Sequence, residues 1–178
     1  MPSFGLWPRA KGTLSFEKVK PILEQLGQTV HYFGQNGNAA AMKLVGNLIV
    51  ALEMEALAEA LVLAQKAGLD LNTVMEVVKV ADFRSPLIVS NGQNILKRDF
   101  STSFALKLML KDAGLIEKFG ESLPSPIPAL RVVEKNLELA VALGFGEENA
   151  SALIKALEKE AGVEVKSRLT VGPVGHSR

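Results

Sequence analysis

The residues best equipped for chemistry lie in two short runs. The first reads Gly34-Gln35-Asn36-Gly37-Asn38-Ala39-Ala40-Ala41-Met42-Lys43-Leu44-Val45-Gly46-Asn47. Lys43 and Asn47 are four apart, so on a helix their side chains stack on one face. Around them Met42, Leu44, Val45, Leu48 and Ile49 are apolar. An ammonium on a largely apolar helix has its charged form disfavoured, which suits it to proton transfer near neutral pH. Asn47 offers both a donor and an acceptor and could hold a substrate oxygen beside that ammonium. The same spacing also describes a solvated lysine and an asparagine packed on a neighbouring helix. Gly34 and Gly37 serve the turn on either reading.

The second run is Ser103-Phe104-Ala105-Leu106-Lys107-Leu108-Met109-Leu110-Lys111-Asp112. Phe104, Lys107 and Lys111 share a helical stripe, and the other side is apolar. Two lysines on one stripe could face a phosphate or a carboxylate, although a plain wet face has the same pattern. Other chemistries are poorly supplied. The 178 residues include no cysteine and two histidines, His31 and His176. A thiolate zinc site and a cysteine nucleophile are excluded, and no metal site is expected. Glu53, Glu55 and Glu59 form no ligand pattern with a histidine and read as helix-surface charges or as partners for lysines on other helices. Net charge is +1, which gives no general case for nucleic-acid or membrane-surface binding. No signal peptide and no apolar run of membrane-spanning length is evident, so a cytoplasmic protein is expected.

The elements that must hold these runs are mainly helical. After irregular residues 1–14, Ser15 reads as the N-cap of FEKVKPILEQLG, ending at Gly27 with Pro21 inside. QTVHYF, residues 28–33, reads as a short strand. Residues 38–66 contain one glycine and no proline and read as one long helix. Its girth is apolar enough for central burial, within its own domain or between two subunits. Asn72, then Ser85-Pro86, then Thr102 or Ser103 are expected to open three further helices. SLPSPIP breaks the chain before ALRVVEKNLELAVALG, and a last helix runs through ENASALIKALEKEAG. The fold class is mainly α, a helical bundle with a short α/β remnant in front. The expected organisation is 1–33 as that remnant, 34–163 as the all-helical domain and 164–178 as a loose tail.

Taken together, the run GQNGNAAAMKLVGNLIVALEMEALAEALVLAQKAGLD and the later Phe104 with Lys111-Asp112 resemble the β-hydroxyacid dehydrogenase family. That family includes 3-hydroxyisobutyrate dehydrogenase and glyoxylate/succinic semialdehyde reductases. Its pattern is a glycine loop, a lysine, an asparagine four residues on, and later a phenylalanine with Lys-Asp seven residues beyond. The resemblance runs from about Phe16 to Gly162. It implies a helical bundle like the C-terminal domain of 3-hydroxyisobutyrate and 6-phosphogluconate dehydrogenases, and reversible hydride transfer between NADP or NAD and a small carboxylate-bearing aldehyde. By the same resemblance Lys43 would be the acid/base, Asn47, Phe104 and Asp112 would bind substrate, and Lys111 would contact the cofactor. The helix 38–66 would carry a homo-oligomer interface.

The sequence also departs from the family. No G-x-G-x-x-G dinucleotide fingerprint occurs, although the family opens with a Rossmann domain that carries one. Pro2-Ser3-Phe4-Gly5 aligns with the family's substrate loop, with Phe4 in place of its serine and Leu6 in place of a glycine. Ala39 replaces the third glycine of the lysine loop. The expectation is therefore a truncated dehydrogenase, its helical half alone and inactive by itself. The alternative is a non-catalytic helical dimerisation module.

Overall fold

The computed structural model describes residues 13–167. Seven α-helices are present among them: α1 Thr13–Leu23, α2 Asn38–Lys66, α3 Leu71–Val80, α4 Pro86–Leu96, α5 Leu106–Ser122, α6 Pro128–Ala140 and α7 Ile154–Ala161. No strand occurs among the described residues, so the helical fold class holds. No helix there is long and apolar enough to cross a membrane. The chain divides into two compact units, one up to Asn47 and one from Leu48. The division falls within α2. Pro2-Ser3-Phe4-Gly5, Leu6 and His176 lie outside the described residues.

In the first unit, Phe16 of α1 is buried and stacks on Tyr32, ring centroids 4.9 Å apart. Pro21 lies inside α1. It has no N–H to give the preceding turn, and the helix ends two residues later, at Leu23. Residues 28–33 are irregular rather than the expected strand. A strand needs a neighbour for its backbone hydrogen bonds, and the described residues offer none. Gly34 and Gly37 turn the chain at φ 81° and 97°, values that side-chain-bearing residues rarely adopt. Asn38 Nδ2 closes the turn by donating to the Phe33 carbonyl at 2.7 Å.

The second unit holds the main core. From α2 it buries Ala51, Met54, Ala58 and Leu61, which recur at helical spacing. Leu106 and Met109 of α5, Leu130, Val133 and Leu137 of α6, and Ile154 of α7 meet this core. Within the single chain the helix 38–66 is not buried around its whole circumference, so burial within its own domain is incomplete. Ile49 and Leu63 stay 54% and 70% exposed. At Gly92 the backbone of α4 comes so close to α3 that a Cβ would stand 2.4 Å from Met75 Cε.

Helix starts are set partly by distant partners. Ser85 caps α4 as its sequence indicates, accepting from the Ile88 N–H at 3.1 Å, with Pro86 in the first turn. Asp70, not Asn72, caps α3, accepting from the Thr73 N–H at 2.8 Å. α5 begins at Leu106 behind Ala105, not at Thr102 or Ser103. The expected loose tail starts as packed chain. Val165 is fully buried, its N–H donates to Glu158 at 2.7 Å, and the Ser167 N–H donates to the Leu96 carbonyl.

Candidate functional site

In the first unit, the glycine turn delivers the chain into α2, and Lys43 and Asn47 follow one helical turn apart on the same face. Lys43 is exposed and Asn47 half-buried. The apolar enclosure expected around the ammonium is not supplied by its helix. Met42 and Leu44 are its chain neighbours, and consecutive helical side chains point about 100° apart. What α2 does provide is a rigid stage that fixes the lysine-to-asparagine spacing.

In the second unit, the remaining residues sit where a loop enters α5. The loop begins with Asp99, which accepts from the Ser101 hydroxyl at 2.6 Å and the Ser101 N–H at 3.0 Å. These bonds hold its carboxyl below the usual carboxylate range. The loop is then stapled to the segment preceding α7. Thr102 Oγ1 donates to the Glu147 carbonyl, and the N–H groups of Leu106 and Lys107 donate to the carbonyls of Glu148 and Gly146. Ala105 and Asn149 form an antiparallel bridge.

Phe104 is half-buried at the mouth of this loop. At the second residue of α5, Lys107 is engaged by Glu147 at 2.6 Å, so the two-lysine stripe is not a pair of equivalent cations. Lys111 remains largely exposed, its ammonium 2.9 Å from Oδ1 of the fully buried Asp112. Adjacent helical residues do not face each other, so Lys111 folds back to make this contact. The structure thus sets Lys43 and Asn47 one turn apart on α2 and Lys111 against Asp112 on α5, with Phe104 in the loop just before that helix.

The family described as the NAD-binding domain of NADP-dependent 3-hydroxyisobutyrate dehydrogenase matches residues 37–157. The chain belongs to the 3-hydroxyisobutyrate dehydrogenase family. Its 2-(hydroxymethyl)glutarate dehydrogenase relative from Eubacterium barkeri is 36% identical, over 84% of this chain and 50% of that protein. Glyoxylate/succinic semialdehyde reductase 2, chloroplastic, of Arabidopsis thaliana is 36% identical, over 80% of this chain and 40% of that protein. The crystal structure of 3-hydroxyisobutyrate dehydrogenase from Salmonella typhimurium superposes with a TM-score of 0.76 at 27% identity, over 81% of this chain and 51% of that one. The chain therefore spans about half the length of such relatives. NAD(P) is the cofactor of this family.

Within this 3-hydroxyisobutyrate dehydrogenase-family domain, two polar clusters escaped the sequence reading. Asn149 reads as one more residue near a helix start, yet its buried amide gathers the whole Phe104 loop. Glu55 reads as a surface charge, yet it is 6% exposed and accepts from Asn136 Nδ2 at 2.5 Å. Burial raises its carboxyl above the usual range, the Asn136 bond partly opposes this, and nearby Glu59 adds to the rise. Only the apolar residues flanking each cluster hint at this burial, and that signal does not name the partner. Among the described residues no cluster fit for a metal ion occurs.

Proposed function

We propose that this chain is the helical half of an NAD(P)-dependent hydroxyacid dehydrogenase or semialdehyde reductase acting on a small carboxylate-bearing aldehyde such as glyoxylate, succinic semialdehyde or methylmalonate semialdehyde. The observation that carries the reading is positional. Lys43, Asn47, Phe104, Lys111 and Asp112 all fall inside the matched span 37–157, in the order and spacing of the family pattern. A bound nicotinamide cofactor supplies the hydride. Lys43 gives its proton to the carbonyl oxygen in reduction and takes it back in oxidation, and its charge stabilises the alkoxide as it forms. Asn47 orients that oxygen. Phe104 and Asp112 line the site.

The residues present fit one edge of a cofactor. Lys111 stands exposed on a rigid helix, with its ammonium tethered by Asp112, and can donate to a carboxamide or phosphate oxygen. They do not make a dinucleotide cradle, for which a glycine-rich turn at a helix N-terminus is the usual device. Accordingly the chain alone is inactive. Adding a dinucleotide-binding domain in trans and following NADPH oxidation with glyoxylate tests the reading. Turnover only in the mixture supports it; turnover by the chain alone, or none in the mixture, overturns it.

A second reading is a helical dimerisation module without catalysis. The exposure of Ile49 and Leu63 on α2 favours association through this helix, and such an interface fits a homo-oligomer under either reading.

A further inference from the structure

We propose that Asn149 is the positioning residue of this site: through its side-chain oxygen it fixes the Ser103–Phe104 backbone and so decides where the Phe104 ring stands. The inference rests on the reading of Phe104 as a substrate-lining residue. Its own warrant is a set of hydrogen bonds around one buried amide. Asn149 Oδ1 accepts from the Ser103 hydroxyl at 2.8 Å and from the N–H groups of Ser103 and Phe104, each at 3.3 Å. Its Nδ2 donates to Ser151 Oγ at 2.8 Å and to Asn91 Oδ1 at 3.2 Å.

These bonds use both donors of the amide and load its oxygen with three donors. They also settle which way the amide points, since a flip would set its NH₂ against the backbone N–H donors of Ser103 and Phe104. Asn149 is 6% exposed, so water does not compete for the site. The backbone around it completes the grip. Its N–H donates to the Phe100 carbonyl, and the neighbouring Ala150 N–H donates to the Phe104 carbonyl at 2.9 Å. Phe104 is thereby held at both its N–H and its C=O. A side chain attached to a backbone fixed at both ends has only its rotamer left to choose. Because α5 starts directly after this clamp, Lys111 and Asp112 take their height along the helix from the same anchor.

The side chain that performs this task must present an accepting oxygen to Ser103 and Phe104. Aspartate retains the accepting oxygen that holds Ser103 and Phe104 and loses only the donors toward Asn91 and Ser151. Alanine loses everything. This difference separates positioning from general structural support, because both changes disturb the same buried place.

The test uses the whole chain with a fluorinated phenylalanine at position 104, as wild type, N149D and N149A, read by fluorine resonance and amide exchange. Wild type and N149D should each give one sharp resonance. In N149A the resonance should split or broaden, and the Phe104 amide should exchange at least about tenfold faster. With a dinucleotide-binding domain in trans, N149A should raise the KM for glyoxylate about tenfold, with kcat changed less, and N149D should restore it. Matching resonances and exchange rates in N149A and wild type overturn the positioning role. If N149A fails to fold, wild-type exchange decides. Ser103 and Phe104 amides that exchange as fast as free peptide overturn the clamp; protected ones support it. Absence of turnover by the wild-type mixture counts against the dehydrogenase reading alone, because resonances and exchange judge Asn149 without substrate.

Discussion

Asn136 on α6 donates its side-chain amide to Glu55 Oε1 on α2 at 2.5 Å, while Glu55 Oε2 is buried without a hydrogen-bond partner. One oxygen is satisfied and the other is not, so the ionised carboxylate is poorly served here. Folding therefore favours the protonated acid, and the raised carboxyl follows. The sign is fixed by linkage. Stability from this group is fully present below the unfolded value near 4.5 and declines as pH rises through the higher folded value. Replacing Glu55 with Gln keeps an acceptor for Asn136 and removes the charge. E55Q should match the wild type in acid, exceed its Tm at neutral pH, and flatten the intervening slope of a thermal-melt series.

Removing the other partner should act in the opposite direction. N136A leaves Glu55 with no donor at all, at a cost of about 1–3 kcal/mol. Urea denaturation at pH 7 checks this. A midpoint equal to that of the wild type would show that the bond carries no net stability.

The close approach of α4 to α3 gives a packing prediction. A methyl at position 92 would overlap the end of the buried Met75 side chain, at 2.4 Å from Cε and 2.7 Å from Sδ. Because Met75 is buried, its end has to repack, and G92A should cost about 1–3 kcal/mol. Shortening the neighbour makes room, so the cost of G92A combined with M75A should be clearly less than the sum of the single costs. Additive costs would sink the steric explanation.

Glu158 holds the segment after α7. Its two oxygens meet Arg98 at 2.5 and 3.1 Å, and Oε1 also accepts from the Val165 N–H. Arg98 sits at φ 57°, a conformation costly for a non-glycine residue, which this pairing helps to hold. E158A leaves a half-buried guanidinium with only its 3.8 Å carboxylate contact to Glu164 and should destabilise the fold by about 3 kcal/mol. In exchange measurements residues 163–167 should lose protection before the helices do.

For catalysis, K43A is the decisive change. In a mixture with a dinucleotide-binding domain it should lower turnover by about 10²–10⁴, the usual yield of a general acid–base. Because Lys43 is exposed, the fold should be unaffected, and a thermal melt should confirm this. Turnover within a few fold of the wild type removes Lys43 from the proton-transfer role.

Association through α2 can be tested at Leu63, which is 70% exposed. L63E should shift sedimentation from an oligomer toward the monomer while the helical circular-dichroism signal stays unchanged. A wild-type chain that sediments as a monomer at all concentrations would end the interface reading.

Local chemistry determined much of this protein. Helical propensity and proline and glycine placement fixed the bodies of α2 to α7, and Ser85-Pro86 fixed the start of α4. The four-residue spacing of Lys43 and Asn47 was enough to place them on one face, since 3.6 residues per turn admits no other arrangement. Contacts between residues distant in sequence decided the rest. α5 starts at Leu106 because Asn149, 46 residues beyond Ser103, holds the Ser103 hydroxyl that would otherwise cap the helix. Glu55 is inside because α6 supplies Asn136, 81 residues away. Residues 164–167 are packed because Arg98 and Glu158 receive them, and residues 28–33 make no strand because the described residues offer no second strand to complete their hydrogen bonds. Helical periodicity reports which face of an element is apolar, but the partner of a buried polar group is chosen by whatever the fold brings within about 3 Å of it.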